Sequence, residues 1–145
     1  MLITIFGESC TGKSTLAGAL KERTGVEVFS GKDYLRLAKS EGVAKALFQK
    51  QLRGAAAGEG DLIYVIAEPE LLSLVPEGGV RVLVTADLDE IKSRFTARMG
   101  GTLPSPVAAM LERKHGCFDQ MPHDVHMASG EDSLEAVCEK ILALR

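Results

Sequence analysis

The feature that most constrains this chain is the segment at residues 7–14. It runs Gly-Glu-Ser-Cys-Thr-Gly-Lys-Ser and fits the pattern G-x-x-x-x-G-K-[ST]. The segment follows a short β-branched apolar run at 2–6 and precedes an amphipathic stretch at 13–23, where Leu16, Ala17 and Leu20 recur at helical spacing. The sequence therefore predicts a strand, a glycine-rich loop and a helix in direct succession.

This loop has the chemistry of a phosphate cradle. Glycines let the backbone wrap closely, so that successive N–H groups point inward, and the N-terminus of the following helix adds a partial positive charge. Lys13 is then placed to reach the β- and γ-phosphates of a nucleotide, and the Ser14 hydroxyl to coordinate Mg²⁺. The residues expected to contact the nucleotide are Gly7, Glu8, Ser9, Cys10, Thr11, Gly12, Lys13, Ser14 and Thr15.

The rest of the chain alternates short apolar runs with amphipathic stretches. Strands are predicted at 2–6, 26–29, 62–67, 80–85 and around 125–127. Helices are predicted at 13–23, at 33–52 with a possible break near Gly42, at 87–99, at 104–114 and from about 134, with a brief helix or turn at 71–75. This alternation predicts a three-layer α/β fold around a parallel sheet, in which ligands bind beyond the carboxyl ends of the strands.

Composition limits the kinds of partner. Seventeen basic and twenty acidic residues give a formal net charge of -3, which excludes the strongly basic footprint of a nucleic-acid binder. No apolar run approaches the roughly 20 residues that cross a bilayer, and the opening Met-Leu-Ile-Thr-Ile lacks the positive start of a secretory signal. Three cysteines without CxxC spacing fit a reducing compartment. We expect a cytoplasmic protein without nucleic-acid or membrane partners.

The order of motifs resembles that of the small P-loop kinases of the nucleoside-monophosphate kinase type, most closely the cytidylate-kinase-like and adenylate-kinase-like group. The resemblance extends over essentially the whole chain. It implies a P-loop NTPase fold with a five-stranded parallel sheet in the order 2-3-1-4-5 and a single domain over 1–145. It also implies acceptor-binding helices at about 30–57, a short lid at about 98–115, and ATP and Mg²⁺ as cofactors.

The segment after the second predicted strand is similar to the acceptor motif S-T-G-D-x-L-R of that family. It matches at Ser30, Asp33, Leu35 and Arg36. A guanidinium at Arg36 offers a planar fork for an incoming phosphate, and Asp33 suits orientation of the nucleophile or a place near the metal. Lys32 stands where the family usually has a small residue, and either adds a positive charge for an anionic acceptor or is simply solvated.

Two further groups complete the predicted site. Glu68, at the end of the third predicted strand, is a candidate Mg²⁺ ligand. However, Glu68 and Glu70 stand where these kinases commonly place an arginine that holds the acceptor phosphate. Arg94 and Arg98 share a helix face at the position of the family's Arg-x-x-x-Arg, which implies that they stabilise the transferring phosphoryl group beneath the lid.

These patterns together predict a Mg²⁺- and ATP-dependent phosphotransferase. In the predicted reaction Lys13, Asp33, Arg94 and Arg98 act in catalysis, and the acceptor is a small molecule, first of all a nucleoside monophosphate such as CMP. A kinase of a non-nucleotide small molecule is the alternative within this class. A nucleotide-binding sensor that transfers no phosphate is the alternative outside it. The chain is expected to be a monomer or a homodimer.

Overall fold

A computed structural model describes residues 1–144, and its centre is a parallel sheet of five strands in the order β2-β3-β1-β4-β5. The strands are β1 (Leu2–Phe6), β2 (Val28–Ser30), β3 (Leu62–Ile66), β4 (Val80–Thr85) and β5 (Val125–Ala128). Every residue of β1 and β3 is buried, as expected for apolar strands covered on both faces. The predicted α/β fold class and strand order are confirmed.

Helices cover both faces of this sheet. They are α1 (Lys13–Thr24), α2 (Glu41–Ala56), α3 (Leu88–Arg98), α4 (Ser105–Lys114) and α5 (Leu134–Ala143). One core is rich in aromatic rings and lies under α2, where Phe48 packs against Phe29, Tyr34 and Tyr64. A second core is aliphatic and contains residues of α1 and α5. Among residues 1–144, no helix combines the length and the apolar character that crossing a bilayer requires.

The predicted helix at 33–52 is two elements. Asp33–Leu37 forms a 3₁₀ turn, the chain extends at Ala38, and α2 begins at Glu41. The Ser40 hydroxyl caps α2 by accepting a hydrogen bond from the Val43 N–H, so the break precedes Gly42 instead of lying at it. A second 3₁₀ segment, Pro69–Leu74, occupies the position of the predicted brief helix.

The carboxyl ends of all five strands meet at one edge of the sheet. The glycine-rich loop follows β1 there, residues 31–33 follow β2, and Glu68 lies two residues beyond β3. Asp87 follows β4, and Ser129 follows β5. Because the strands are parallel, residues from five distant parts of the sequence gather at this edge.

Candidate functional site

The loop between β1 and α1 curls back over the start of α1. Cys10 and Gly12 both have left-handed backbone conformations, with φ of 63° and 104°. Gly12 is the N-cap of α1 and accepts a hydrogen bond from the Leu16 N–H at 3.1 Å. The buried Thr11 side chain donates to the Glu8 carbonyl at 2.8 Å. A loop of this kind presents backbone N–H groups to an anion at a helix N-terminus.

Gly7 is required by the neighbouring strand. A Cβ atom at this position would lie 2.2 Å from the carbonyl oxygen of Val84 in β4. The Gly7 N–H donates to the carbonyl of Ile66 in β3 at 3.2 Å. The first glycine of the pattern therefore lets the loop leave the sheet between its two neighbouring strands.

Lys13 is buried at the start of α1, with 6% of its surface exposed. Its Nζ donates to the Glu8 carbonyl at 2.5 Å. Burial lowers the pKa of Lys13 from 10.5 to about 8, with the Arg98 charge acting in the same direction, whereas Cys10 and Glu8 act against the shift. A buried ammonium beside a phosphate cradle gains an ionic partner when a polyphosphate binds.

One cavity of about 400 Å³ adjoins the loop, and we call it the nucleotide-side cavity. Residues predicted to contact or stabilise the nucleotide share its wall with the segment after β5. They are Cys10, Gly12, Lys13, Ser14, Thr15, Arg94 and Arg98, accompanied by Met127, Ser129, Gly130, Asp132 and Leu134. The structure thus brings the loop and both arginines of α3 to one place.

Arg94 joins the loop to the segment after β5. Its Nη1 donates to the Cys10 carbonyl at 2.9 Å, and its Nη2 donates to the Ser129 hydroxyl at 3.0 Å. The same Nη2 forms a short ion pair with Glu90, one turn earlier on α3. These partners orient the guanidinium at the wall of the nucleotide-side cavity, where it can attract phosphate oxygens.

Glu8 joins the loop to the chain beyond α4. Its carboxylate accepts hydrogen bonds from His115 Nδ1 at 3.0 Å and from the Gly116 N–H at 3.1 Å. Only 11% of the Glu8 side chain is exposed. Since residues 98–115 form the predicted lid, its end is bonded directly to the phosphate cradle.

A second cavity of about 440 Å³ lies beside the start of the loop, and we call it the acceptor-side cavity because Glu68 and Glu70 line it, at the positions where the resemblance places an acceptor-binding residue. Its wall combines the start of the loop, the chain after β3 and the inner side of α4. The lining residues are Glu8, Ser9, Ala67, Glu68, Pro69, Glu70, Met110, Leu111, Lys114 and Cys117. Burial and the charge of Glu8 raise the pKa of the Cys117 thiol, which favours its neutral form.

The residues after β2 lie outside both cavities. The Ser30 N–H donates to Asp33 Oδ2 at 2.9 Å, which closes a turn around the exposed Lys32. Arg36 forms an ion pair with Glu27 at 3.0 Å, and its guanidinium lies 4.4 Å from the centre of the Phe29 ring. The structure therefore does not bring the predicted acceptor residues to the wall of either cavity; these are Ser30, Lys32, Asp33 and Arg36.

The two residues predicted to ligate Mg²⁺ line different cavities. Ser14 borders the nucleotide-side cavity, and Glu68 borders the acceptor-side cavity. Within residues 1–144 no three His, Cys, Asp or Glu side chains cluster so as to hold a metal by themselves. A hydroxyl in the first turn of α1, beside Lys13, fits Mg²⁺ that takes most of its remaining oxygen ligands from phosphate and water.

Sequence reasoning missed two of the contacts at this site. Glu8 is predicted to contact the nucleotide and His115 is given no role, whereas the structure bonds the two side chains across 107 positions of sequence. The Ser129 contact with Arg94 was also not predicted. The one available signal was the position of Ser129, directly after a strand and therefore at the ligand-binding edge of the sheet.

Comparison with solved structures identifies the fold. An uncharacterized protein from Eubacterium ventriosum ATCC 27560 aligns with a TM-score of 0.70 and 16% identity, over 99% of this chain and 97% of that one. A gluconokinase from Sinorhizobium meliloti 1021 aligns with a TM-score of 0.60 and 18% identity, over 97% and 89%. A shikimate kinase from Acinetobacter baumannii, in complex with shikimate, aligns with a TM-score of 0.65 and 14% identity, over 99% and 91%.

No protein-family model matches the sequence, and no curated protein matches it. The likeness to solved structures therefore concerns the arrangement of the backbone. The chain has the five-stranded P-loop kinase fold, with the strand order and the loop position of that fold.

Proposed function

We propose that this protein is a kinase that transfers the γ-phosphoryl group of ATP to an oxygen of a small molecule, either a hydroxyl group or the phosphate of a nucleoside monophosphate. In the reaction a bond forms between the acceptor oxygen and the γ-phosphorus. The bond from that phosphorus to the β–γ bridging oxygen breaks, ADP leaves, and any proton on the accepting oxygen passes to solvent. The observation that carries the proposal is the convergence of Lys13, Ser14, Arg94 and Arg98 on one cavity beside the phosphate loop.

The residues on the nucleotide side attract and stabilise phosphate charge. Lys13 gives up the Glu8 carbonyl for the β- and γ-phosphates, and Arg94 and Arg98 stabilise the charge on the transferring group. Bound Mg²⁺ would neutralise phosphate charge, held by the Ser14 hydroxyl with Glu68 as the candidate carboxylate. Positioning of this kind is the main contribution that a protein makes to phosphoryl transfer.

The acceptor residues are proposed from the sequence motif after β2. Arg36, Lys32 and Ser30 bind the acceptor, and Asp33 orients its accepting oxygen. Arg36 must leave Glu27 to reach the substrate. Arg36→Ala is then expected to raise the KM for the acceptor while ATP affinity stays nearly constant. A loss of ATP affinity in this variant would show that the assignment is wrong.

Two acceptor classes remain within the proposal. CMP follows from the resemblance to nucleotide kinases. A non-nucleotide hydroxyl compound is favoured by the acidic lining of the acceptor-side cavity and by the gluconokinase and shikimate kinase among the structural neighbours. Release of ADP from Mg-ATP, measured with a panel of nucleoside monophosphates and small alcohols, distinguishes them.

The same assay tests the proposal itself. Lys13→Ala is expected to abolish acceptor-stimulated ADP release and nucleotide binding. Lys21→Ala removes an exposed lysine of the same helix and is the matched control. Tight nucleotide binding without stimulation by any acceptor would favour the sensor alternative, and the absence of binding heat with Mg-ATP would contradict both.

A further inference from the structure

We infer that the acceptor-side cavity selects a hydroxyl compound that is uncharged or positively charged, and that it disfavours carboxylates and phosphate monoesters. The inference rests on the proposed kinase reaction and places the acceptor in this cavity instead of at the motif after β2, because Ser30, Lys32, Asp33 and Arg36 line neither cavity. It goes beyond that function by assigning the charge of the substrate.

The first observation is the charge of the cavity wall. Three carboxylates line it, those of Glu8, Glu68 and Glu70, whereas Lys114 provides the one ammonium group. Glu8 is occupied by His115 and Gly116, but Glu68 and Glu70 are exposed at the rim, where an entering molecule meets them. Carboxylates accept hydrogen bonds from hydroxyl and ammonium groups and repel anions.

The second observation is where the arginines lie. Arg94 and Arg98 line the nucleotide-side cavity, and Arg36 is ion-paired with Glu27 beside the Phe29 ring. Among residues 1–144 no arginine lines the acceptor-side cavity. The cavity therefore lacks the guanidinium fork that holds a carboxylate or a phosphate in two parallel hydrogen bonds.

The third observation is the apolar part of the wall. Pro69, Met110 and Leu111 contribute carbon surface facing the same space as the carboxylates. A carbohydrate-like molecule has C–H groups that pack on such a surface and hydroxyl groups that donate to carboxylates. The cavity thus fits a polyhydroxylated compound of sugar size, with or without an amine.

The test compares three six-carbon probes of different charge, gluconate, glucose and glucosamine, and adds CMP as a phosphate monoester. Methionine methyl NMR follows both cavities at once, because Met127 lines the nucleotide-side cavity and Met110 lines the acceptor-side cavity. The protein is first saturated with Mg²⁺ and a non-hydrolysable ATP analogue. A shift at Met127 reports nucleotide binding, so its absence counts against the proposed function and not against the charge assignment.

Each probe is then titrated into the protein while the methyl signal of Met110 is followed. Glucosamine and glucose are expected to shift its methyl signal at concentrations at least about fivefold lower than gluconate, as like-charge repulsion at the exposed Glu70 implies when Glu68 holds Mg²⁺. Equal or tighter binding of gluconate or CMP would overturn the inference. Failure of all three sugars to shift Met110 at tens of millimolar would also overturn it, because the cavity would then admit no polyhydroxylated compound.

A pair of variants isolates the charge effect. Glu70→Gln is expected to narrow the difference between glucosamine and gluconate by severalfold, since it removes one rim carboxylate. Glu77→Gln makes the same change of charge at an exposed acid that does not line the cavity, and should leave the difference unchanged. An equal effect of both variants would refute a role for the cavity wall.

Discussion

Binding of a triphosphate at this loop should take up a proton through Lys13. In the free protein the burial of Lys13 lowers its pKa to about 8. A bound triphosphate surrounds the amine with negative charge, which favours the protonated form and returns its pKa toward or above the ordinary value. Lysine that is neutral before binding must therefore gain a proton from the buffer as the complex forms.

The magnitude of the uptake follows from that pKa. Of the free protein, about one tenth has neutral Lys13 at pH 7, about half at pH 8 and about nine tenths at pH 9. Binding of Mg-ATP should thus take up about 0.1, 0.5 and 0.9 proton at these three pH values. Isothermal titration calorimetry in buffers of different ionisation enthalpy measures this number as the slope of observed enthalpy against buffer enthalpy.

One calorimetric result would refute proton uptake by Lys13. A slope near zero at both pH 8 and pH 9 would mean that Lys13 is already fully protonated in the free protein, or that it does not contact the phosphates. Lys13→Arg is the matched control because arginine stays protonated throughout this range, so any residual binding should proceed without uptake. Titration of the lysine Cε signal by NMR would locate the pKa directly if the variant fails to bind.

The lowered pKa of Lys13 also determines how the stability of the protein changes with pH. Between pH 8 and 10.5 the unfolded chain holds the Lys13 proton more firmly than the folded protein does. The contribution of this group to the free energy of unfolding therefore rises with pH across that window, and it is lost as the pH falls through 8. Lys13→Met should stabilise the unliganded protein at pH 7 while abolishing nucleotide binding, as thermal unfolding with and without Mg-ATP would show.

Three further substitutions test the loop and its supports. Cys10→Gly should raise the free energy of unfolding by about 1 kcal/mol or less. The left-handed conformation costs a non-glycine residue about 1–2 kcal/mol, but part of this gain is offset because glycine loses more conformational entropy on folding. A lower melting temperature of the variant would show that the Cys10 backbone is not strained. Gly7→Ala should destabilise the fold by several kcal/mol and abolish Mg-ATP binding, because its Cβ would overlap the Val84 carbonyl. Denaturant unfolding measures this loss of stability, and its m-value should stay unchanged. A variant as stable as the wild type would show that β4 can move away from the added methyl group. Arg94→Ala should weaken Mg-ATP binding by about ten- to a hundredfold, as expected for losing a charged hydrogen-bond donor at the phosphates. Ser129→Ala removes only a hydrogen-bond partner of Arg94 and should weaken Mg-ATP binding less. A larger loss of affinity in Ser129→Ala than in Arg94→Ala would refute direct contact between Arg94 and the phosphates.

Local sequence predicted the parts of the site that local chemistry determines. The loop at residues 7–14 and the five strands were predictable because a glycine-rich turn between a β-branched run and an amphipathic helix has few alternatives. The break predicted near Gly42 lies at residues 38–40, because a serine cap, and not Gly42 itself, decides where α2 begins.

The partners of charged side chains could not be predicted from local sequence. Arg36 was expected at the phosphates because its spacing from Asp33 matched a motif. The structure pairs it with Glu27, nine positions earlier and before β2, and its contact with a phosphate stays a prediction. Spacing along the chain predicts which residues share an element, but the partner that a long charged side chain selects depends on packing.

The phosphate loop is held from both sides by contacts that no local pattern contains. On the nucleotide side Arg94 donates to the Cys10 carbonyl across 84 positions, and on the acceptor side Gly116 donates to the Glu8 carboxylate across 108. A hydrogen bond to a charged group contributes about 1.5–3 kcal/mol, comparable to the 1–2 kcal/mol cost of the left-handed Cys10 backbone. The loop conformation that is proposed to bind phosphate is therefore a property of the folded sheet edge as a whole, because the loop alone would relax away from it.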